Sequence, residues 1–239
     1  MPMKKLATIL FTATAILSFQ SCKKIKGDGP TVTETRNITG FRSIRTDIDG
    51  TLHYSQSPDY SVEIRAQRNI LDVINSRTIN GELVIDYANH PNIGNHDHID
   101  IYVSGPSAEG FTVGGSGDID VPRSLTTDNL FLRINGSGSI SIADLNSKSI
   151  TAKISGSGDI AVNNGTGRDE DLSIDGSGSL DFLNYTVQRA WTNTAGSGTT
   201  KVNVSDHLDV TIAGSGNVYY KGRPKLSTNI FGSGKVQSW

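Results

Sequence analysis

The tripeptide Gly-Ser-Gly occurs seven times between residues 115 and 234 of this 239-residue chain, at nearly constant spacing. Successive copies begin 21, 20, 20, 20, 18 and 18 residues apart. A period of about 20 residues is typical of a solenoid, in which each repeat stacks on its neighbours. The first and third residues of the triplets are Gly115 and Gly117, Gly136 and Gly138, Gly156 and Gly158, Gly176 and Gly178, Gly196 and Gly198, Gly214 and Gly216, and Gly232 and Gly234.

Apolar residues alternate with polar ones on both sides of each triplet. Around the third triplet, Ala152 and Ile154 precede the glycines, and Ile160 and Val162 follow them. Period two is typical of strands with one buried face, so each repeat is predicted to contain two half-buried strands. An antiparallel sandwich would also alternate, but its strands need not keep a constant register. The pattern therefore predicts an all-β fold, a parallel β-helix whose coils stack about 4.8 Å apart.

The glycines are predicted to form the corner between the two strands of a coil. Glycine adopts positive φ without a Cβ clash, and the small Ser between the glycines can hydrogen-bond locally or to the next coil. The alternative is that the exposed edge of these corners is also a binding surface. The fifth repeat is predicted to be the least apolar coil, because Ala190, Thr192 and Thr194 stand where other repeats have branched aliphatic residues.

The N-terminus resembles a bacterial lipoprotein signal. Two lysines precede an apolar run from Leu6 to Leu17, which is too short to cross a bilayer, and the single cysteine, Cys22, lies at the expected cleavage point. Residues 1–21 are therefore predicted to be a signal peptide, and Cys22 is predicted to carry the lipid that anchors the protein to a membrane of the cell envelope. The alternative is plain secretion, with Cys22 as a free thiol.

The charge balance of the mature chain indicates no nucleic-acid partner. Removal of residues 1–21 leaves 20 basic and 24 acidic residues, a formal charge of −4. Nucleic-acid binding would call for a basic excess. With one cysteine no intramolecular disulfide can form, so the stability of the fold must come from the stacked coils.

After the signal, the chain is predicted to form a polar tether and then a single domain. Residues 22–35 have no core-forming content, and residues 36–239 are predicted to form one β-helix domain. In this domain, residues 36–110 are expected to form irregular N-terminal coils or a cap, and residues 111–239 the regular repeats. The pair Asn80-Gly81 is typical of a two-residue turn between short strands.

Three stretches of the domain resemble the putative auto-transporter adhesin, head GIN domain family. They are Arg36–Ile44, Asn80–Ile85 and Phe111–Ile119, and the resemblance covers residues 36–239. It implies a small exported bacterial protein, often a lipoprotein, with a single-stranded right-handed parallel β-helix. The resemblance implies no enzymatic activity and supplies no catalytic residues.

One stretch near the turn after Pro91 contains candidate metal ligands. If a strand ran through it, His96, His98 and Asp100 would point to one face and present two imidazoles and a carboxylate. A solvated strand start is the plainer interpretation. A calcium roll is not expected, because Ile119 stands where such rolls have an Asp. No cofactor is expected.

The sequence contains no clear set of residues that could act together in catalysis. Hydrolases on β-helices need convergent carboxylates, and the outward positions are mostly Ser, Asn and Thr. The acids Asp144, Asp169, Glu170 and Asp171 are expected in loops between coils. No phosphate loop or nucleotide fingerprint is present. The protein is therefore predicted not to be an enzyme, with a polysaccharide lyase or hydrolase as the alternative.

Aromatic residues gather near the C-terminal end, where Tyr219, Tyr220 and Trp239 are the candidate binding residues. They are interpreted as a plug over the last coil, or else as a stacking platform for sugars or for another chain. End-to-end pairing into a homo-oligomer is a further hypothesis. The function that the sequence favours is a non-catalytic cell-envelope β-solenoid, an adhesin or a binding scaffold for glycan or protein.

Overall fold

The computed structural model describes residues 24–239 of the chain. The predicted signal peptide and Cys22 lie outside the described residues. The fold is nearly all β, with 69% strand and 2% helix, and forms a β-solenoid of about six turns spaced about 20 residues apart. Within residues 24–239, no helix has the length and apolar character needed to cross a membrane.

All the strands belong to one sheet. In chain order the elements are β1 (Thr31–Thr35), β2 (Ser43–Thr46), β3 (Thr51–Gln56), β4 (Ser61–Gln67), α1 (Arg68–Leu71), β5 (Ile74–Ile79), β6 (Glu82–Tyr87), β7 (Asp100–Gly105), β8 (Gly110–Gly115), β9 (Asp118–Gly136), β10 (Ser139–Gly156), β11 (Asp159–Val162), β12 (Gly165–Thr166), β13 (Asp169–Gly176), β14 (Ser179–Gly196), β15 (Thr199–Gly214), β16 (Asn217–Lys221), β17 (Lys225–Gly232) and β18 (Lys235–Ser238).

Equivalent residues of successive coils lie directly above one another in parallel register. Ile154 of β10 pairs with Ile134 of β9 on one side and with Ile174 of β13 on the other. The column continues through Thr194 to Ile212, and all five side chains are buried. The prediction of a stack of coils around an apolar interior is therefore confirmed.

Each coil contains more paired backbone than the sequence indicated. Two strands per repeat were expected, but β10 runs through 18 residues and pairs with β9 along nearly all of them, with one irregularity between Ile142 and Asp144. The segment in between also pairs with its neighbour, and Leu145 from that segment is buried. A coil therefore has a third paired side, because its polar middle stretch satisfies its backbone groups on the adjacent coils.

The first glycine of each triplet forms the predicted corner. All seven adopt positive φ, between 122° and 145°. From the second triplet onward, the Ser that follows donates its backbone N–H to the carbonyl oxygen of the first glycine in the preceding coil, as Ser157 does to Gly136 at 2.9 Å. A Cβ on Gly156 would collide with that same carbonyl oxygen. Only glycine fits here, because both the backbone conformation and the stacking distance exclude a side chain.

Replacement of Gly156 by Ala is expected to lower the free energy of unfolding by about 2 kcal/mol, because it adds strain at positive φ and a clash with the Gly136 carbonyl oxygen of the preceding coil. Urea denaturation followed by circular dichroism measures the change. Ser157→Ala is the matched control, since its exposed side chain can be shortened without loss. Equal midpoints for the two variants would contradict the corner assignment.

Residues before the first triplet continue the stack and cover its N-terminal end. Strand β2 pairs in parallel with β6 and β8, and β3 with β7 and β9. Antiparallel pairs β1–β4, β4–β7 and β5–β6 are added at this end. The prediction of a tether over residues 22–35 was wrong for its described part, because β1 belongs to the sheet and Ile25 and Val32 pack against the core. The turn between β5 and β6 is Asn80-Gly81, both at positive φ, as expected for a two-residue hairpin. The single helical turn α1 buries Ile70 and Leu71.

One acidic residue lies in the interior, where a loop had been predicted. Asp144 belongs to β10, and Asp169, Glu170 and Asp171 belong to β13. The Glu170 side chain is fully buried, and within residues 24–239 neither carboxylate oxygen has a hydrogen-bond partner. Burial raises the pKa of Glu170 well above its usual value. The loop assignment was wrong because Glu170 occupies an inward position of the period-two pattern.

Candidate binding surfaces

The three candidate metal ligands do not meet at one point. His98 and Asp100 do lie close, with Nε2 3.6 Å from Oδ1, and His98 Nε2 is also 3.1 Å from the Thr51 hydroxyl. His96 is nearly buried and instead lies 3.0 Å from Asp49, measured from Nε2 to Oδ2. Strand β7 begins only at Asp100, so strand alternation does not apply to the two histidines before it. Within the described part of the chain, no three His, Cys, Asp or Glu side chains are placed to hold a metal ion.

A histidine without a predicted partner lies between two carboxylates. His53 Nε2 is 3.7 Å from Asp100 Oδ1, and its Nδ1 is 3.5 Å from Asp120 Oδ2. Its ring stacks on Tyr102, with centroids 5.1 Å apart. These partners are distant in the sequence and meet because β3 lies between β7 and β9. The cluster forms part of the polar outer surface of the N-terminal coils.

The aromatic residues near the C-terminus do not form one patch. The rings of Tyr219 and Trp239 meet edge to face with centroids 5.9 Å apart, and Lys201 Nζ lies 5.4 Å from the Trp239 ring. Tyr220 instead pairs in register with the buried Val202 and packs against the core. Tyr219 and Trp239 therefore share one outer surface and Tyr220 does not. A binding role for any of the three stays a prediction.

Two other aromatic side chains lie on the outer side of the strand segments that precede the triplets. Phe131 is half-buried and Trp191 is 40% exposed. They belong to one row of in-register positions, which runs from Phe131 through Thr151 and Asp171 to Trp191. Three coil spacings separate the two residues, about 14 Å at 4.8 Å per coil. We call this the Phe131–Trp191 row; the alternation of the sequence already placed its members outward.

Each aromatic residue of the row lies beneath an arginine. The Arg133 guanidinium carbon is 4.9 Å from the centre of the Phe131 ring, and that of Arg189 is 5.8 Å from the Trp191 ring. Arg189 also pairs with Asp169 at 2.7 Å. The Arg189 guanidinium, aided by Arg168, holds the pKa of the Asp169 carboxyl below its usual range. These contacts fix the orientation of the arginine planes on the surface.

Shallow cavities adjoin the row at both aromatic residues. Phe131 lies between two of these cavities. The larger has a volume of about 540 Å³ and is also lined by Asn129 and Ser149, and the smaller has a volume of about 280 Å³ and is also lined by Thr112. Trp191 borders a third, of about 230 Å³, beside Asp209. Aromatic rings, guanidinium groups and hydroxyls along an open surface can stack on a ligand and hydrogen-bond to it.

Comparison with known proteins identifies the family. The family model described as putative auto-transporter adhesin, head GIN domain, matches residues 40–224. The chain belongs to this family. The head GIN domain match includes the regular coils up to β16 and the whole Phe131–Trp191 row, so these features lie within the family's own domain. No curated protein matches the sequence.

Solved structures similar to this head GIN domain share its fold. A crystal structure of a putative adhesin from Bacteroides fragilis is 24% identical, with a TM-score of 0.86, and the match covers 90% of this chain and all of that one. A putative lipid binding protein from Parabacteroides distasonis is 21% identical, with a TM-score of 0.76 and coverage of 91% and 100%. A putative adhesin from Parabacteroides merdae is 20% identical, with a TM-score of 0.75 and coverage of 90% and 99%.

Proposed function

We propose that the protein is a non-catalytic binding module of the cell envelope, exported and held at a membrane by a lipid on Cys22. Its ligand is a macromolecule, a glycan or another protein, and its binding surface contains the Phe131–Trp191 row. The observation on which the proposal rests is the presence of two outward-facing aromatic residues, the half-buried Phe131 and the exposed Trp191, each under an arginine, on one side of a regular solenoid. The adhesin description of the family and of two solved relatives supports a binding role.

The physical argument for binding is that such a surface is both rigid and repetitive. The strands behind the row pair with a coil on each side, so the rings and hydroxyls keep fixed positions. A ligand that lies along the solenoid can contact several coils at once, and contacts that are individually weak then add. Large aromatic rings bury much area with little loss of side-chain entropy, which is why they dominate many binding surfaces.

Trp191→Ala is expected to weaken ligand binding about tenfold, because the ring is the largest exposed group of the row. Residues 24–239, which contain the whole described fold, would be screened against glycan and protein arrays, and hits measured by titration calorimetry. Trp239→Ala is the matched control, since it removes an exposed Trp from another surface. Unchanged affinity in Trp191→Ala, or loss only in Trp239→Ala, would contradict the proposed surface.

The same glycans separate this proposal from the enzyme alternative. A binding module should retain each bound polysaccharide intact after long incubation. Release of shortened or unsaturated products by the unaltered protein would establish a lyase or hydrolase instead. If the protein bound nothing on the glycan and protein arrays and degraded no polysaccharide, the binding function itself would be contradicted.

A further inference from the structure

Two neighbouring cations of the solenoid surface lack counter-ions. Lys153 pairs in register with Arg133, and both side chains are exposed. Arg45, Arg77 and Arg189 are each bonded to an aspartate, whereas within residues 24–239 Arg133 and Lys153 form no ion pair. Like charges directly opposite each other on a sheet destabilise it, so an anion placed between them would remove a repulsion. We call Arg133 and Lys153 the basic pair.

The surroundings of the basic pair contain both hydroxyl and charged side chains. Its row continues with Thr112 on one side and Ser173 on the other. Asp171 and Asp175 flank Ser173 on that next strand, so they adjoin Lys153 more closely than Arg133. The smaller cavity beside Phe131 is also lined by Arg45, which Asp47 neutralises, and by Glu82. The positive charge is therefore concentrated at Arg133.

The groups next to the basic pair can stack on a sugar ring and hydrogen-bond to its hydroxyls. Phe131 supplies an aromatic ring at the foot of Arg133, and the two cavities beside it are lined in part by hydroxyl and amide side chains. The two acids of the larger cavity have cationic partners, Arg42 for Glu109 and Lys148 for Asp128. Rings of this kind stack on apolar faces, while hydroxyls and amides hydrogen-bond to polar edges. The fork of Arg133 is suited to a carboxylate. A uronic acid presents a ring, hydroxyls and a carboxylate together.

An extended acidic peptide fits this surface less well. Peptides that bind sheets commonly add a strand to a free edge, where backbone hydrogen bonds provide the affinity. Strand β9 already pairs with β8 and β10, and β10 with β13, so no free edge exists at the basic pair. Affinity must then come from side-chain contacts, and here these are suited to a carbohydrate.

We propose that Phe131, Arg133 and Lys153 form a binding site for an acidic polysaccharide whose uronate carboxylates lie on the basic pair. This inference rests on the proposed function and names its ligand class. The polymer lies along the solenoid, and its carboxylates stay at the Phe131 end. Asp171 and Asp209 repel them at the other end, because these residues flank Trp191 in the row.

The test uses tetragalacturonate and its fully methyl-esterified form, titrated calorimetrically into residues 24–239 at low salt. The acidic oligomer should bind, the neutral ester should bind at least tenfold more weakly, and added salt should weaken the binding of the acid. Arg133→Gln should lower the affinity at least tenfold, and Lys153→Gln severalfold. Phe131→Leu should also weaken binding, because it keeps an apolar side chain but removes the ring. Lys221→Gln is the charge-matched control and should bind like the unaltered protein.

Several outcomes would overturn the site. Equal binding of the ester would show that the carboxylates are not recognised. Equal loss in Lys221→Gln would show non-specific attraction. Polyglutamate that binds as tightly as the uronate and needs Arg133 would show that charge, and not sugar, is recognised. If array ligands still depend on Trp191 while tetragalacturonate does not bind, this inference fails and the proposed function stands. If nothing binds, both fail.

Discussion

Replacement of Ile154 by Asp is expected to lower the free energy of unfolding by about 4 kcal/mol or more. Ile154 is 1% exposed and lies in the column between Ile134 and Ile174. The new carboxylate would have no partner in this apolar interior, and a buried charge without a partner is among the most destabilising changes in a protein. Urea denaturation of residues 24–239, followed by circular dichroism, measures the loss.

The neighbouring residue supplies the control. Ser155 is exposed, because successive side chains of a strand point to opposite faces. Ser155→Asp adds the same charge on the outside and should change the free energy of unfolding by no more than about 0.5 kcal/mol. Similar losses in the two variants, or none in Ile154→Asp, would contradict the assignment of inner and outer faces.

The interior of the regular coils could be predicted from the sequence because two patterns coincide there, the period-two alternation along each strand and the spacing of about 20 residues between triplets. Alternation selects the side chains that point inward, and the spacing of the triplets fixes which of them stack. Ile134, Ile154 and Ile174 each stand two residues before a triplet, so their column follows from counting alone. The turn at Asn80-Gly81 could also be predicted, because its positive φ angles depend only on those two neighbouring residues.

Long-range contacts outside the repeats could not be predicted in the same way. His53 meets Asp100 and Asp120 only because β3 is inserted between β7 and β9, and no spacing in the sequence signals that insertion. The candidate metal trio depended on a strand through His96 and His98, and the sequence did not show that β7 begins only after them, at Asp100.

The outward orientation of Phe131 and Trp191 could have been predicted from the alternation of apolar and polar residues. Phe131 and Trp191 occupy outward positions next to the buried Leu132 and Thr192, so their exposure was readable from the period-two pattern. Their arginine partners lie two residues away on the same strands and so on the same face. The same alternation places the acidic residue Glu170 at an inward position, so its burial could also have been predicted.

Replacement of Glu170 by Leu is expected to raise the free energy of unfolding by about 3 kcal/mol at pH 7, because it removes a buried group without hydrogen-bond partners. In register, Glu170 lies between Ile150 and Ala190. Leucines fill the equivalent place in three other coils, at Leu130, Leu208 and Leu226, so this side chain fits the column. A lower urea midpoint in Glu170→Leu would show that the carboxyl is satisfied inside the fold.

The dependence on pH tests the same group independently. The folded-state pKa of Glu170 is raised well above its usual 4.5, so the folded chain keeps a proton that the unfolded chain releases. This contribution to stability is fully present below pH 4.5 and is lost as the pH rises toward the folded pKa. Tyr185, the neighbouring titratable group, does not interfere, because burial raises its pKa to about 12. Urea titrations at pH 4 and pH 8 should therefore show a gap between Glu170→Gln and the unaltered protein that widens with pH. A constant gap would mean that Glu170 reaches solvent.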